Sequence, residues 1–536
     1  MIPRPRFIAA LLLIALAACS PAPVATPTEG IHMAPFILVT VDPHATATAT
    51  PFQPEAATGT PTRSPGTLTP SASPVPTDTP ASASSDTSTP TSPAAAATLA
   101  AASPTPTVQQ ASDRTQYTFY LTLDYAGHKV AVNETVRYAN TTGQSLSSVV
   151  FAVEPNLWGN CFTLASLTQD ESEVTNYTLS GQRLTVVPDQ PIAVGAVTTF
   201  KLGFSLSMPV KHYDGTFGYV SGQMNLTDWY PFIVPFISGS WVLHDAGSFG
   251  EHLVYESADY DVYLKVSDPS VVVAASAPGQ PDGETTHYHL EGARTFVLSA
   301  SPLFKVDESA VGHVKILSYH FPGDEGASQG VVWMATQSLG LYDAKFGPYP
   351  HESLSIVETD VPDGQEFDGC VFLSTGFYSS YGGSARSNLF TIGTHEIAHQ
   401  WWFGLVGDDQ AMQPWLDEAM AVYSERIFYE YNYPNYGNWW WNFRVNYFGP
   451  QGYVDSSVYS FGTFRDYVDA VYLNGATFLD HVRSRMGDEA FFAFLKDYAS
   501  TYAHRIVTTP EFFALLRQHT KNDLSDLIQL YFQGTY

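Results

Sequence analysis

Positive charge is scarce in this chain. Twenty-four Lys and Arg stand against 52 Asp and Glu, a formal net charge of −28, which argues against nucleic acid and anionic lipid surfaces as partners held by charge. Cysteine is scarcer, with three in 536 residues and no CxxC spacing, so a cysteine-ligated zinc has no support. There is no GxSxG turn, no Gly-rich phosphate loop and no internal repeat, which removes the usual signs of a serine hydrolase or a nucleotide enzyme. Long apolar runs are missing as well. The run from Phe7 to Ala18 falls short of the roughly 20 residues that a membrane-spanning helix needs.

That short run suits another use. Arg4 and Arg6 precede it and Leu16-Ala17-Ala18-Cys19 follows, a layout that resembles a bacterial lipoprotein signal peptide (residues 1–19) with Cys19 as the lipidated N-terminus of the mature protein. The expected location is therefore extracytoplasmic, on the bacterial cell envelope, with the membrane reached through an N-terminal lipid anchor. Residues 20–112 are rich in Thr, Ser, Pro and Ala, with Arg63 the one Lys or Arg and Phe36 and Phe52 the aromatics. Such a composition cannot bury enough apolar surface to offset its ordering entropy, and it predicts a disordered tether with a mean span on the order of 50 Å. Setting Cys19 aside leaves Cys161 and Cys370, compatible with one disulfide or with two buried free thiols.

Folded sequence begins near Asp113. Tyr117, Phe119, Leu121, Leu123 and Tyr125 alternate with more polar residues, and the pattern returns at Phe200 to Met208 and Tyr260 to Val266; a period of two marks half-buried strands. Residues 113–303 are thus expected to form a mainly β, antiparallel sandwich domain. Further along the pattern changes: Gly326 to Lys345 reads as helix, Leu354 to Val357 as strand, and helices dominate from Phe390. Residues 304–536 are expected to be an α+β catalytic domain.

The chemistry concentrates in that second part. His395-Glu396-Ile397-Ala398-His399 is followed, after eighteen residues, by Glu418. Two histidines four apart lie on one face of a helix and can both aim a ring nitrogen at one metal ion. Pro414 and the apolar positions Leu416, Ala419, Tyr423 and Ile427 place Glu418 in the first turns of a second helix. Two imidazoles and a carboxylate leave one tetrahedral position for water, whose pKa falls to around 7 on zinc. Glu396, beside the ligand face, would accept its proton.

HExxH, eighteen residues and Glu, within Trp415-Leu416-Asp417-Glu418-Ala419, resembles the signature of the gluzincin zinc aminopeptidases, the group of aminopeptidase N and leukotriene hydrolase. The resemblance implies a thermolysin-like catalytic domain, one Zn2+ bound by His395, His399 and Glu418, Glu396 as general base, and peptides as substrates. It implies that Glu425, seven residues after Glu418, orients a ligand imidazole from behind. Val471-Tyr472-Leu473-Asn474-Gly475 is similar to the family segment that carries a tyrosine at the substrate carbonyl, with Asn474 in place of a lysine, so Tyr472 is the expected oxyanion donor. Asp363-Gly364-Gln365-Glu366-Phe367 occupies the place of the GxMEN loop, which makes Glu366 the expected anchor for a free α-amine. Gln365 and Phe367 depart from that pattern and alter the first specificity pocket. Glu358, Asp360, Asp363, Glu366 and Asp368 make this stretch strongly acidic, which attracts amines but is also what a solvated loop looks like. Trp229-Tyr230-Pro231 resembles part of the β domain that packs on the catalytic one. The chain continues only 64 residues beyond Tyr472, short of the helical C-terminal domain of larger relatives, so a more open cleft that admits longer peptides is expected. An endopeptidase using the same metal and a non-catalytic zinc- or peptide-binding lipoprotein are the alternatives.

Overall fold

The computed structural model describes residues 113–536 apart from 214 and 221. The expected signal peptide, Cys19 and the tether lie outside the described residues. The alternating segments are strands of an eight-stranded sheet. Its order is Gly279–Asp282, Thr285–Ala293, Ala258–Val266, Thr115–Asp124, Lys129–Ala139, Val197–Ser207, Phe162–Gln169, Ser172–Glu173. Tyr117, Phe119, Leu121 and Leu123 are buried, as are Phe200, Leu202, Phe204 and Leu206 on the strand two places away, as a period of two requires. Two four-stranded sheets and the two-stranded pair Phe236–Ile237 and Ser240–Trp241 complete this part. Their inner residues join the large sheet in one core, where Phe151 meets Phe200 edge to face and Trp229 and Tyr230 surround Phe119.

One expectation about this part needs correcting. The sheet is not wholly antiparallel: Thr115–Asp124 runs parallel to Ala258–Val266, in register from Thr115↔Ala258 to Leu123↔Val266. Alternation reports which face of a strand is buried and says nothing about the direction of its neighbour. Cys161 and Cys370 are both buried and unpaired, which closes the question of a disulfide between them.

A five-stranded sheet follows, ordered Lys305–Val311, Val314–His320, Ser353–Thr359, Cys370–Ser374, Gly364–Phe367. The middle three strands are parallel and the two outer pairings antiparallel. Glu325–Phe346 is the helix that crosses between the parallel strands Val314–His320 and Ser353–Thr359, burying Val331, Met334, Ala335, Leu339, Tyr342 and Phe346 along one side. The edge strand Gly364–Phe367 runs beside the helix Asn388–Ala398, every residue of which is buried. Helices Trp415–Asn432, Asn474–Met486, Asp488–Thr501, Thr509–His519 and Ser525–Tyr531 close the far side, packed through Trp415, Phe478, Phe512, Phe513 and Phe532. Arg294 ties the β part to the helical part. Buried whole, it donates to the carbonyls of Tyr255, Phe403, Gly404 and Arg505.

Candidate active site

The helix Asn388–Ala398 begins at Ser387, whose side chain accepts the Phe390 amide, and ends at His399 as its C-cap. His395 and His399 are therefore one turn apart on the same face. The helix Trp415–Asn432 starts after Pro414 and presents Glu418 from its first turn, where the helix dipole favours a carboxylate. The two helices bring three donor atoms together: His395 Nε2 lies 3.1 Å from His399 Nε2, and Glu418 Oε2 lies 3.2 Å from the first and 3.5 Å from the second. Adjacent donors around a tetrahedral zinc stand about 3.3 Å apart when the bonds are about 2.0 Å.

The other nitrogen of each ring decides what these atoms are. His395 Nδ1 meets Glu425 Oε1 at 3.0 Å and His399 Nδ1 meets the Trp402 carbonyl at 2.9 Å. Both outer partners are acceptors, so both Nδ1 atoms carry a proton, and it is the Nε2 lone pair of each ring that a metal would take. Two lone pairs and a carboxylate oxygen facing one another in a buried space repel unless a cation lies between them. The residues thus fit a zinc ion, and the tautomers they require are the ligating ones.

Charges around the donors are arranged to match. Burial raises the Glu418 carboxyl, but the two imidazoles facing it outweigh burial and hold the group down to about 2, so it stands ready as a carboxylate. Glu425 is also pushed up by burial and brought back below its usual value by the charge of Arg444 and the His395 contact. Arg444 Nη2 and Nε reach Glu425 at 2.7 and 2.9 Å, and Trp440 Nε1 donates to Glu425 Oε2 at 3.0 Å. Neither Arg444 nor Trp440 is expected from the sequence. Their one signal is an arginine inside the aromatic run Trp439-Trp440-Trp441-Asn442-Phe443-Arg444, since a cation set among rings is buried only when paired.

Glu396 lies beside this triad in the same cleft of about 580 Å³, with Glu366, Glu251, Gly364 and Tyr472 also on its walls. Its Oε2 accepts no hydrogen bond, and burial together with nearby carboxylates raises its pKa well above the usual range. The edge strand explains how it fits: a Cβ on Gly364 would stand 2.3 Å from Glu396 Oε1, so only glycine permits this approach. Tyr472 sits in a π-helical turn, Val468–Leu473, a distortion common at functional sites. Its hydroxyl donates to Glu418 Oε1 and its ring lies parallel to that of His395, centroids 6.1 Å apart. Burial and the Glu418 charge raise its pKa, so it is a neutral donor.

The acidic stretch divides by direction. Glu358 accepts the Phe321 amide and Asp368 those of Arg294 and Thr295, so both serve structure. Asp360 is exposed. Asp363 and Glu366 line the cleft. Glu366 accepts from Gln365 at 2.8 Å and from Gln410 at 3.2 Å, and Gln410 also donates to Asp417. Gln410, with no motif around it, and Glu251, 115 positions before Glu366, carry no sequence signal at all.

Residues 377–531 match the Peptidase family M1 domain. Over that stretch, which holds the two histidines, Glu418 and Tyr472, the chain is similar to the M1 peptidases. Aminopeptidase M1-B of Oryza sativa subsp. japonica is 24% identical over 240 residues, which is 42% of this chain and 27% of that protein. The match thus spans about a quarter of that relative's length. Among solved structures, an M1 zinc metallopeptidase from Deinococcus radiodurans has a TM-score of 0.55 at 16% identity, covering 79% of this chain and 95% of that one. A point mutant of the Deinococcus radiodurans enzyme, bound to a Tyr-ser-ala substrate, has a TM-score of 0.56 at 17% identity, with 79% and 95% covered. At these identities the likeness is one of fold: an N-terminal β part followed by a mainly helical part.

Proposed function

We propose that this chain is a zinc-dependent aminopeptidase that releases N-terminal residues from peptides outside the cell. The observation that carries this reading is the facing of two imidazole lone pairs and the Glu418 carboxylate, with the free Glu396 oxygen and the buried Glu366 in one cleft. Zinc held by His395, His399 and Glu418 would supply Lewis acidity toward the scissile carbonyl and a water acidic enough to attack near neutral pH.

The chain's own residues do the rest. Glu396, raised by burial, accepts a proton from the attacking water and returns it to the leaving amine. Tyr472 turns its hydroxyl from Glu418 to the carbonyl oxygen of the substrate and donates to it as negative charge builds there. Glu366 pairs with the α-ammonium group and so sets the distance from the N-terminus to the attacked bond. Glu425, through Arg444 and Trp440, holds the His395 ring in orientation. The lipoprotein form belongs to the same proposal and rests on Leu16-Ala17-Ala18-Cys19; incorporation of a labelled fatty acid that disappears in Cys19→Ser is the expected result, and incorporation retained in that variant would refute it.

Hydrolysis of a peptide with a free N-terminus beside its N-acetylated twin tests the function. The expected result is cleavage of the free amine and loss of cleavage on acetylation. Equal rates would make Glu366 dispensable as an anchor and turn the reading to an endopeptidase. No cleavage of either by the zinc-loaded protein would leave a binding protein.

A further inference from the structure

The proposed function leaves open which N-terminal residue the cleft accepts. Beside Glu366 a second chamber of about 250 Å³ adjoins the cleft, and Thr216, Gly250, Glu251, Gln365 and Glu366 line both. Two more carboxylates, Glu154 and Asp228, stand on its lining, and among the described residues no Lys or Arg does. Glu154 is 9% exposed, and its Oε2 is sealed from solvent and accepts no hydrogen bond. His252 is the basic group of the lining. Its Nε2 lies 3.3 Å from Glu154 Oε2, but the same atom also meets Gln182 Oε1 at 3.2 Å. Trp158 and Phe217, ring centroids 5.0 Å apart, supply an apolar flank.

Four carboxylates facing one imidazole make a space that is costly when empty of positive charge. Burial and then the charge of Glu366 push Glu251 up to about 8. Burial also lifts Asp228 to about 6 despite the hydrogen bond from Tyr255, with Glu154 and Glu366 adding to the rise. An α-ammonium on Glu366 relieves one of the four. A second cation carried on an aliphatic stem relieves the others, while the stem lies against the aromatic flank. An uncharged side chain would bury the acids without a partner, and an acidic one would be repelled.

We propose that this chamber receives the side chain of an N-terminal lysine or arginine, so that the substrates are peptides that begin with a basic residue. This rests on the aminopeptidase reading, and the test separates the two. Calorimetry on the full-length, zinc-loaded protein would compare lysinamide and argininamide with norleucinamide, which matches lysine in its stem and lacks the charge. In parallel, kcat/KM would be measured on lysyl, arginyl, leucyl and glutamyl 4-nitroanilides. The expected result is binding of the basic amides roughly tenfold or more tighter than norleucinamide. The same order should hold in kcat/KM, and the ratio should shrink toward one in Glu154→Gln and in Asp228→Asn. Equal affinity for the three amides overturns the proposal, as does a preference that neither variant reduces. Turnover of leucyl substrates with no basic preference would refute the chamber and leave the aminopeptidase standing. A basic preference in binding without hydrolysis of any substrate would do the reverse.

Discussion

The two walls of the cleft treat buried acid in opposite ways. On the helical wall every carboxylate that touches a ligand is finished: Glu418 takes both histidines and Tyr472, and Glu425 takes Arg444, Trp440 and His395. Both groups end below their ordinary pKa although burial works against them. On the opposite wall, formed by the edge strand and the segment around Glu251, the acids meet amides or one another, and Glu251, Glu366 and Asp363 all end above theirs. The difference teaches what each wall is for. A metal seat has to be complete before substrate arrives, because ligands free to move would cost affinity. A wall that binds ammonium groups, as proposed for this one, gains by staying unpaired until they come.

Glu396 is the exception on the helical wall, and removing it should give the largest effect. Glu396→Gln is expected to lower kcat/KM by about 10²- to 10⁴-fold with one zinc per chain retained; a loss of zinc in parallel with activity would move Glu396 into the metal seat and break the contrast. Next comes Glu425→Ala, which takes from the buried Arg444 the carboxylate that it grips with Nε and Nη2. Denaturant unfolding should register a loss of about 3–5 kcal/mol, and competition with a chelator a zinc affinity weaker by about 10- to 100-fold. An unchanged zinc affinity would mean that His395 does not need its carboxylate.

A buried acid far from the cleft sharpens the comparison, because it serves neither purpose. Glu134 lies inside the β core with no hydrogen bond to either oxygen, and burial raises its pKa well above the usual 4.5. Glu134→Met should stabilise the fold by about 1–3 kcal/mol near neutral pH. The sign follows from linkage. The folded state holds the proton above pH 4.5 where the unfolded chain has released it, so the native residue makes stability fall as pH rises from there toward the raised folded value. The gain from methionine should accordingly be smaller at about pH 4 than at about pH 7, and unfolding curves at the two values check it. The smallest effect concerns the chamber: Asp228 gains its charge as pH passes about 6, so the ratio of lysinamide to norleucinamide affinity should rise severalfold between about pH 5 and about pH 7. A flat ratio would show that Asp228 does not read the charge.

How much of this was legible in the sequence follows from how far apart the parts are. His395, Glu396 and His399 share one helical turn, and Glu418 and Glu425 lie two turns apart on one helix, so helical periodicity alone places them. Tyr472 and Glu366 came through segments similar to a known family, and the structure brings both to the cleft. Arg444, Trp440 and Gln410 reach their partners through tertiary packing, and Asp228 and Glu251 come from the β part, more than a hundred residues before the helices that carry His395, His399 and Glu418. No local pattern encodes those meetings. The same limit applies to the strands. Alternation put Tyr117 and Tyr260 in the core, yet the parallel pairing of their strands is set by chain path and could not be read from either segment.

X-ray absorption at the zinc edge on the purified, full-length protein is the measurement closest to the central claim. The account predicts one zinc per chain, with two nitrogen donors and carboxylate oxygen at about 2.0–2.2 Å, and loss of that signature in His395→Ala and in Glu418→Ala. A zinc that kept the same coordination in both variants, or a protein that bound no zinc at all, would contradict it.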